Sequence, residues 1–223
     1  MAITIPDVSL QDNTDERTPL VLVLDRSGSM SGERIAALNS GLQTFGEEMR
    51  NDPTTLTRGR VLVIEYGGDD EVKQSLWQDA IDFKAPILDA NGSTPTGKAV
   101  TAALAAIQAQ KDELRANGIS YKRPILMLMS DGAATDEWET AAEACVAAEA
   151  SNKVTIFAIG IGDDADLGEL GKFSSKGAMQ INGLKFKELF VWLSASVKAV
   201  SKTAKGAPAQ LPAHDSWAST GPV

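Results

Sequence analysis

The chain has 223 residues, 43% of them hydrophobic and 23% charged, enough to bury one sizeable core, so one domain is expected. With 21 Lys and Arg against 30 Asp and Glu, the net charge is −9, a balance that repels phosphate backbones and anionic lipid heads; neither nucleic acid nor a membrane is expected as a partner. One cysteine, Cys145, and one histidine, His214, exclude disulfide frameworks, Cys/His zinc sites and, unless His214 takes part, Cys-His or Ser-His-Asp catalysis.

Leu20 to Leu24 is a continuous apolar run ending in Asp25, the pattern of a strand covered on both faces. Ile35, Leu38, Leu42, Phe45 and Met49 recur at steps of three and four, giving an amphipathic helix from Glu33 that stops near Asn51-Asp52-Pro53. Val61 to Tyr66, the turn Gly67-Gly68-Asp69-Asp70 and Val72 to Trp77 read as a strand with an antiparallel return at one edge. Val100, Leu104, Ile107 and Leu114 mark a second long helix closed by Asn117-Gly118. Ile125 to Met129 is another buried strand, followed by an alanine-rich helix over Glu137 to Ala150 and a strand over Val154 to Ile161. A short helix around Leu167 to Phe173, a short strand over Ala178 to Ile181 and a terminal helix carrying Phe186, Leu189, Phe190, Leu193 and Val197 complete the order.

Strands alternating with helices require a doubly wound α/β fold. Its central sheet is mostly parallel, with one antiparallel edge strand and helices on both faces, and ligands bind beyond the carboxyl ends of the strands. The expected division is a leader over 1–18, the domain over 19–203 and a flexible Ala/Pro/Ser-rich tail over 204–223 that holds His214 and Trp217. No apolar run is long enough to cross a membrane, and Met1 to Asn13 has neither the basic nor the apolar segment of an export signal, so a cytoplasmic protein is expected.

Three loops gather at one rim in this topology. Asp25-Arg26-Ser27-Gly28-Ser29 sets a carboxylate and two hydroxyls at alternate positions, all hard oxygen donors of the kind magnesium, manganese or calcium accepts. Gly92-Ser93-Thr94-Pro95-Thr96-Gly97-Lys98 matches the G-x-x-x-x-G-K phosphate loop, the basis of an alternative ATPase or phosphohydrolase reading. The next residue is Ala99, without the hydroxyl that holds magnesium, and the segment before the loop is too short for a central strand. Thr96 is placed to cap the following helix, leaving Thr94 for the rim. Ser130-Asp131-Gly132 puts a further carboxylate where a buried strand leaves the sheet. The acidic run Asp163, Asp164 and Asp166 reads as a solvated loop capping the next helix, and Cys145 as a buried small apolar residue.

Asp25, Ser27, Ser29, Thr94 and Asp131 together resemble the metal-ion-dependent adhesion site, and the chain from Pro19 to Lys202 resembles a von Willebrand factor A domain. Within that superfamily Val23 to Glu33, Gly41 to Thr44, Asp52-Pro53 and Met129 to Asp136 look most like the TerY-type proteins of bacterial tellurite resistance. The resemblance implies a sheet of about six strands and a divalent ion, Mg2+ first and Mn2+ or Ca2+ otherwise. Ser27 and Ser29 would be direct ligands, Thr94 direct or through water, and Asp25 and Asp131 chiefly through water. It further implies a non-enzymatic module that binds an Asp or Glu of a partner protein in a bacterial stress or phage-defence assembly, a scaffold with a purely structural metal being the other alternative.

Overall fold

The computed structural model describes Leu10 and residues 13–204, 209–215 and 217–220. Most of the expected leader and part of the expected tail lie outside the described residues.

In chain order the elements are β1 (Thr18–Arg26), α1 (Glu33–Asn51), α2 (Pro53–Arg58), β2 (Gly59–Gly67), β3 (Glu71–Gln74), β4 (Gln78–Asp79), α3 (Thr96–Ala116) and β5 (Ile125–Ser130). They continue with α4 (Glu139–Ala150), β6 (Thr155–Gly160), α5 (Leu167–Leu170), β7 (Ala178–Ile181), α6 (Phe186–Lys202) and β8 (Ala218–Thr220). The sheet runs β3-β2-β1-β5-β6-β7-β8, with β4 also on β2. The five strands from β2 to β7 in that order are parallel, while β3, β4 and β8 run antiparallel at the edges.

The apolar run of β1 splits by the two-residue period of a strand. Leu20, Leu22 and Leu24 face a layer formed by α1 and α6, where Leu38, Leu42, Phe45, Phe186, Phe190 and Leu193 are buried. Val21 and Val23 face the layer of α3 and α4, with Val100, Ala103, Ile107 and Cys145. Cover on both faces is why the run from Leu20 to Leu24 carries no polar residue before Asp25. Burial pushes the Cys145 thiol up to about 12, in keeping with an inert core position.

Pro53 ends one helix and opens another. Its ring disfavours a helical Asp52, and the Asp52 carboxylate then accepts Thr55 N at 2.8 Å to start α2. The expected return strand is interrupted at 75–77 because the Ser75 hydroxyl, rather than a backbone carbonyl, accepts Val63 N at 3.0 Å.

The tail is the larger correction. Ala218–Thr220 pairs with β7 as a second antiparallel edge, and Trp217 is fully buried. Its ring lies 5.1 Å from that of Trp192, whose Nε1 donates to Pro212 O at 2.8 Å. An Ala/Pro/Ser-rich composition signals a mobile tail, but one large indole and an open sheet edge are enough to dock the described part of it.

Candidate metal centre

β1 leads into α1 on one face of the sheet and β5 leads towards α4 on the other, so their carboxyl ends flank the crevice where ligands bind in such folds. Asp25 stands at that end of β1, and Ser130 and Asp131 at that of β5. The parallel register pairs Leu24 with Met129, which sets Ser130 beside Asp25, while Tyr66 faces Asp25 from β2. Asp25 is fully buried. Its Oδ1 accepts Ser27 N at 2.7 Å and its Oδ2 accepts the Ser130 hydroxyl. The Tyr66 hydroxyl beneath donates to Met129 O at 3.1 Å, and burial holds its phenol well above the usual range.

A hydroxyl relay leads outward. Ser27 Oγ and Ser29 Oγ are 3.0 Å apart, and Ser29 Oγ donates to Asp131 Oδ1 at 2.7 Å. Ser27 is buried, whereas Ser29 is exposed at the mouth.

The loop at Gly92 is fastened to the one after β1 by its backbone. Gly28 N donates to Gly92 O at 3.0 Å, and Asn91 N to Arg26 O at 2.8 Å. Gly92 has φ +72, and a Cβ there would lie 1.9 Å from Gly68 O, so only glycine allows the closure. Arg26 reinforces it from below, donating to Asn91 Oδ1 at 3.0 Å and Glu71 Oε2 at 2.8 Å. Thr94 is thereby carried to the rim and secured to the 131–136 loop, its N donating to Thr135 Oγ1 at 3.0 Å and its O accepting Thr135 N at 2.9 Å. Its hydrogen bonds run through its backbone, and its side chain makes none to the relay among the described residues.

The electrostatics favour a cation. Burial pushes the Asp25 carboxyl up from 3.8 to about 6, against the hydrogen bonds from Ser130 and Ser27. Among the described residues no lysine or arginine pairs with Asp25, and Asp131 has Arg34 alone. No group of three or more His, Cys, Asp and Glu among the described residues is placed to hold a metal ion. Two carboxylates with serine and threonine hydroxyls gather at this rim, oxygen donors of the kind that suit a hard divalent cation.

The phosphate-loop alternative fails on geometry. No strand leads directly into Gly92, and the amides of Gly97 and Lys98, which a phosphate would require, donate to Asp136 Oδ1 and Oδ2 at 3.0 and 2.8 Å. Asp136, and not Thr96, caps α3, because Thr96 lies inside the helix behind Pro95. Lys98 Nζ is paired with Asp70. Of the acidic run, Asp166 caps α5 by accepting Glu169 N, as expected.

Ser130, Tyr66, Asp136 and Arg34 escape a reading of the sequence. The register of β1 with its two neighbours would have flagged the first two, whereas the last two reach the rim from loops and helices that only the fold brings near.

Comparison with known proteins adds the family. The description "von Willebrand factor type A domain" matches residues 20–189. The human collagen alpha-1(XXI) chain is 28% identical over 162 residues, covering 71% of this chain and 16% of the collagen. Proximal thread matrix protein 1 from the mussel byssus, in a structure with a zinc-occupied MIDAS motif, is 15% identical with a TM-score of 0.54, covering 83% of this chain and 49% of that one. The open conformation of the pilus adhesin SpaC from Lactobacillus rhamnosus GG is 16% identical with a TM-score of 0.62, covering 85% and 31%. This chain thus spans less than half the length of each of these relatives, and the two structures establish the fold alone. No described helix is long and apolar enough to cross a membrane.

Proposed function

Since the chain belongs to the von Willebrand factor type A domain family, we propose that it is a metal-dependent protein-interaction module whose rim captures an Asp or Glu side chain of a partner protein. Asp25, Ser27, Ser29, Thr94 and Asp131 are the residues that would hold the cation, with Mg2+ as the ion used and Mn2+ or Ca2+ as chemical alternatives. A bound divalent ion supplies an electrophilic centre with a position open to a carboxylate. The observation that carries the reading is the relay from Ser27 through Ser29 to Asp131, beside a buried Asp25 that has no cationic partner among the described residues.

The residues divide the work. Asp131 accepts the hydrogen bond of the Ser29 hydroxyl, which turns that hydroxyl's lone pairs away from the carboxylate. Asp25, through Ser27 N, fixes the turn that presents both serines. Nothing here abstracts or donates a proton to a substrate, so no catalytic role is assigned. The setting proposed is the bacterial cytoplasm, in a stress, tellurite-resistance or phage-defence assembly of the TerY type. The segments 23–33, 41–44, 52–53 and 129–136 support it.

Cation uptake competes with protonation of Asp25. Its carboxyl in the folded protein ionises at about 6, above the ordinary 3.8. Mg2+ affinity is therefore expected to be level above neutral pH and to fall about tenfold per pH unit below about 6. Titration calorimetry across that window checks this, and an affinity that stayed level into the acid range would remove Asp25 from the site.

The test of function is capture from cell extract by wild type and Ser29→Ala, each in magnesium and in chelator. A partner held only by wild type in magnesium is the expected result. A partner held equally in all four samples would move the interaction to another face.

A further inference from the structure

Arg34, on the second residue of α1, reaches Asp131 at the oxygen that Ser29 does not use. Its Nη1 donates to Asp131 Oδ2 at 2.5 Å and its Nη2 to Asp164 Oδ1 at 2.5 Å. The Asp131 side chain is fully buried, so solvent satisfies neither oxygen, and each has one strong donor. Gly162 leaves room for the contact. Gly162 has φ +86, and a Cβ there would lie 2.7 Å from Arg34 Nη2 and 2.8 Å from Asp164 Oδ1, so a side chain would occupy the place of the guanidinium. Gln180 of β7 holds this loop in turn, donating from Nε2 to Gly162 O at 2.8 Å.

We propose that Arg34 is a positioning residue and internal counter-ion of the rim: by holding Asp131 Oδ2 it keeps this carboxylate from ligating a cation directly and leaves the ion's charge for the partner's carboxylate. The proposal rests on the reading of the rim as a metal centre. Turning Asp131 to offer an oxygen to a cation would break its bond to Arg34, in which donor and acceptor are both charged, a stronger tie than the Ser29 bond, in which only the acceptor is. A guanidinium so close also cancels much of the carboxylate's field where water is scarce. Without Arg34 the same carboxylate is free to become a ligand. Each added anionic ligand raises cation affinity and lowers the residual charge that draws an outside acid.

Two quantities should therefore move in opposite directions in Arg34→Gln. Mn2+ serves as the probe ion, its affinity read by electron paramagnetic resonance. Glutarate serves as the probe acid, its binding to the Mn2+-loaded protein read by water-proton relaxation. Mn2+ affinity is expected to rise about tenfold and glutarate affinity to fall about tenfold. Arg34→Lys, which keeps the charge without the two-pronged geometry, should restore part of both, and circular dichroism shows that each variant is folded. A Mn2+ affinity in Arg34→Gln equal to or below that of wild type overturns the inference while leaving the metal centre standing. A wild type that takes up no Mn2+ overturns the metal reading and the inference with it.

Discussion

Asp25→Asn is expected to erase the stabilisation that magnesium gives the fold and, near neutral pH, to raise the melting temperature of the metal-free protein. Both effects come from one buried charge. Ionised Asp25 sits out of water without a cationic partner among the described residues, and a shift of its carboxyl from 3.8 to about 6 corresponds to on the order of 3 kcal/mol against the folded state near neutral pH. Because the folded value is the higher one, this penalty is absent below about 3.8, where the carboxyl is protonated in both states, and grows to its full size as pH rises through about 6. Asparagine keeps the shape and the acceptor for Ser27 N. Ser130, which now donates to Asp25, can turn to accept from the amide and donate to Gly132 O, 3.2 Å away. After the weaker hydrogen bonds of an amide, a net gain of about 2 kcal/mol remains, or about 4–8 °C for a chain of this size. Scanning calorimetry with and without magnesium reads both effects. A variant that melts below the metal-free wild type, or still gains from magnesium, would show that the charge at Asp25 is not what the cation relieves.

The second large effect lies far from the rim. Trp217→Ala should cost about 3 kcal/mol in urea unfolding and release β8, because the indole is fully buried between α6 and the sheet. The loss is capped by the docking free energy of the C-terminal segment, since a segment that gains nothing from packing undocks. Hydrogen exchange at Asn182, whose N donates to Trp217 O at 2.7 Å, should accelerate in step. Trp217→Phe is the informative control. The indole Nε1 is buried without a hydrogen-bond partner among the described residues, so phenylalanine removes an unsatisfied donor along with some area, and a cost under about 1 kcal/mol is expected. Equal stability of Trp217→Ala and wild type would mean that the tail contributes nothing to the fold in solution.

The contrast between these sites explains what a one-dimensional reading recovers. Strand β1 and the loop after it are local: a run covered on both faces must be apolar throughout, and the polar residues that follow must lie where the sheet ends. Asp25, Ser27 and Ser29 are legible for that reason, and Asp131 for the same reason at the end of β5. Thr94 is legible only through its motif, because its place depends on Gly92 closing against Gly68, a contact no local pattern announces. Arg34 and Asp131 are ninety-seven residues apart, and their pairing follows from helix α1 crossing the rim. Asp136 replaces Thr96 as the cap of α3 in the same manner, since a cap borrowed from another loop competes equally with a local one. The tail was misread because composition averages over residues, and one tryptophan can outweigh a dozen small ones when an open edge is at hand.

Anomalous scattering from crystals grown with Mn2+ tests the metal centre most directly. The account predicts a single strong peak at the rim, bounded by Ser27, Ser29, Thr94, Asp25 and Asp131, that disappears in Asp25→Asn. A rim without a peak, or a peak confined to the exposed Asp163–Asp166 loop, would contradict it.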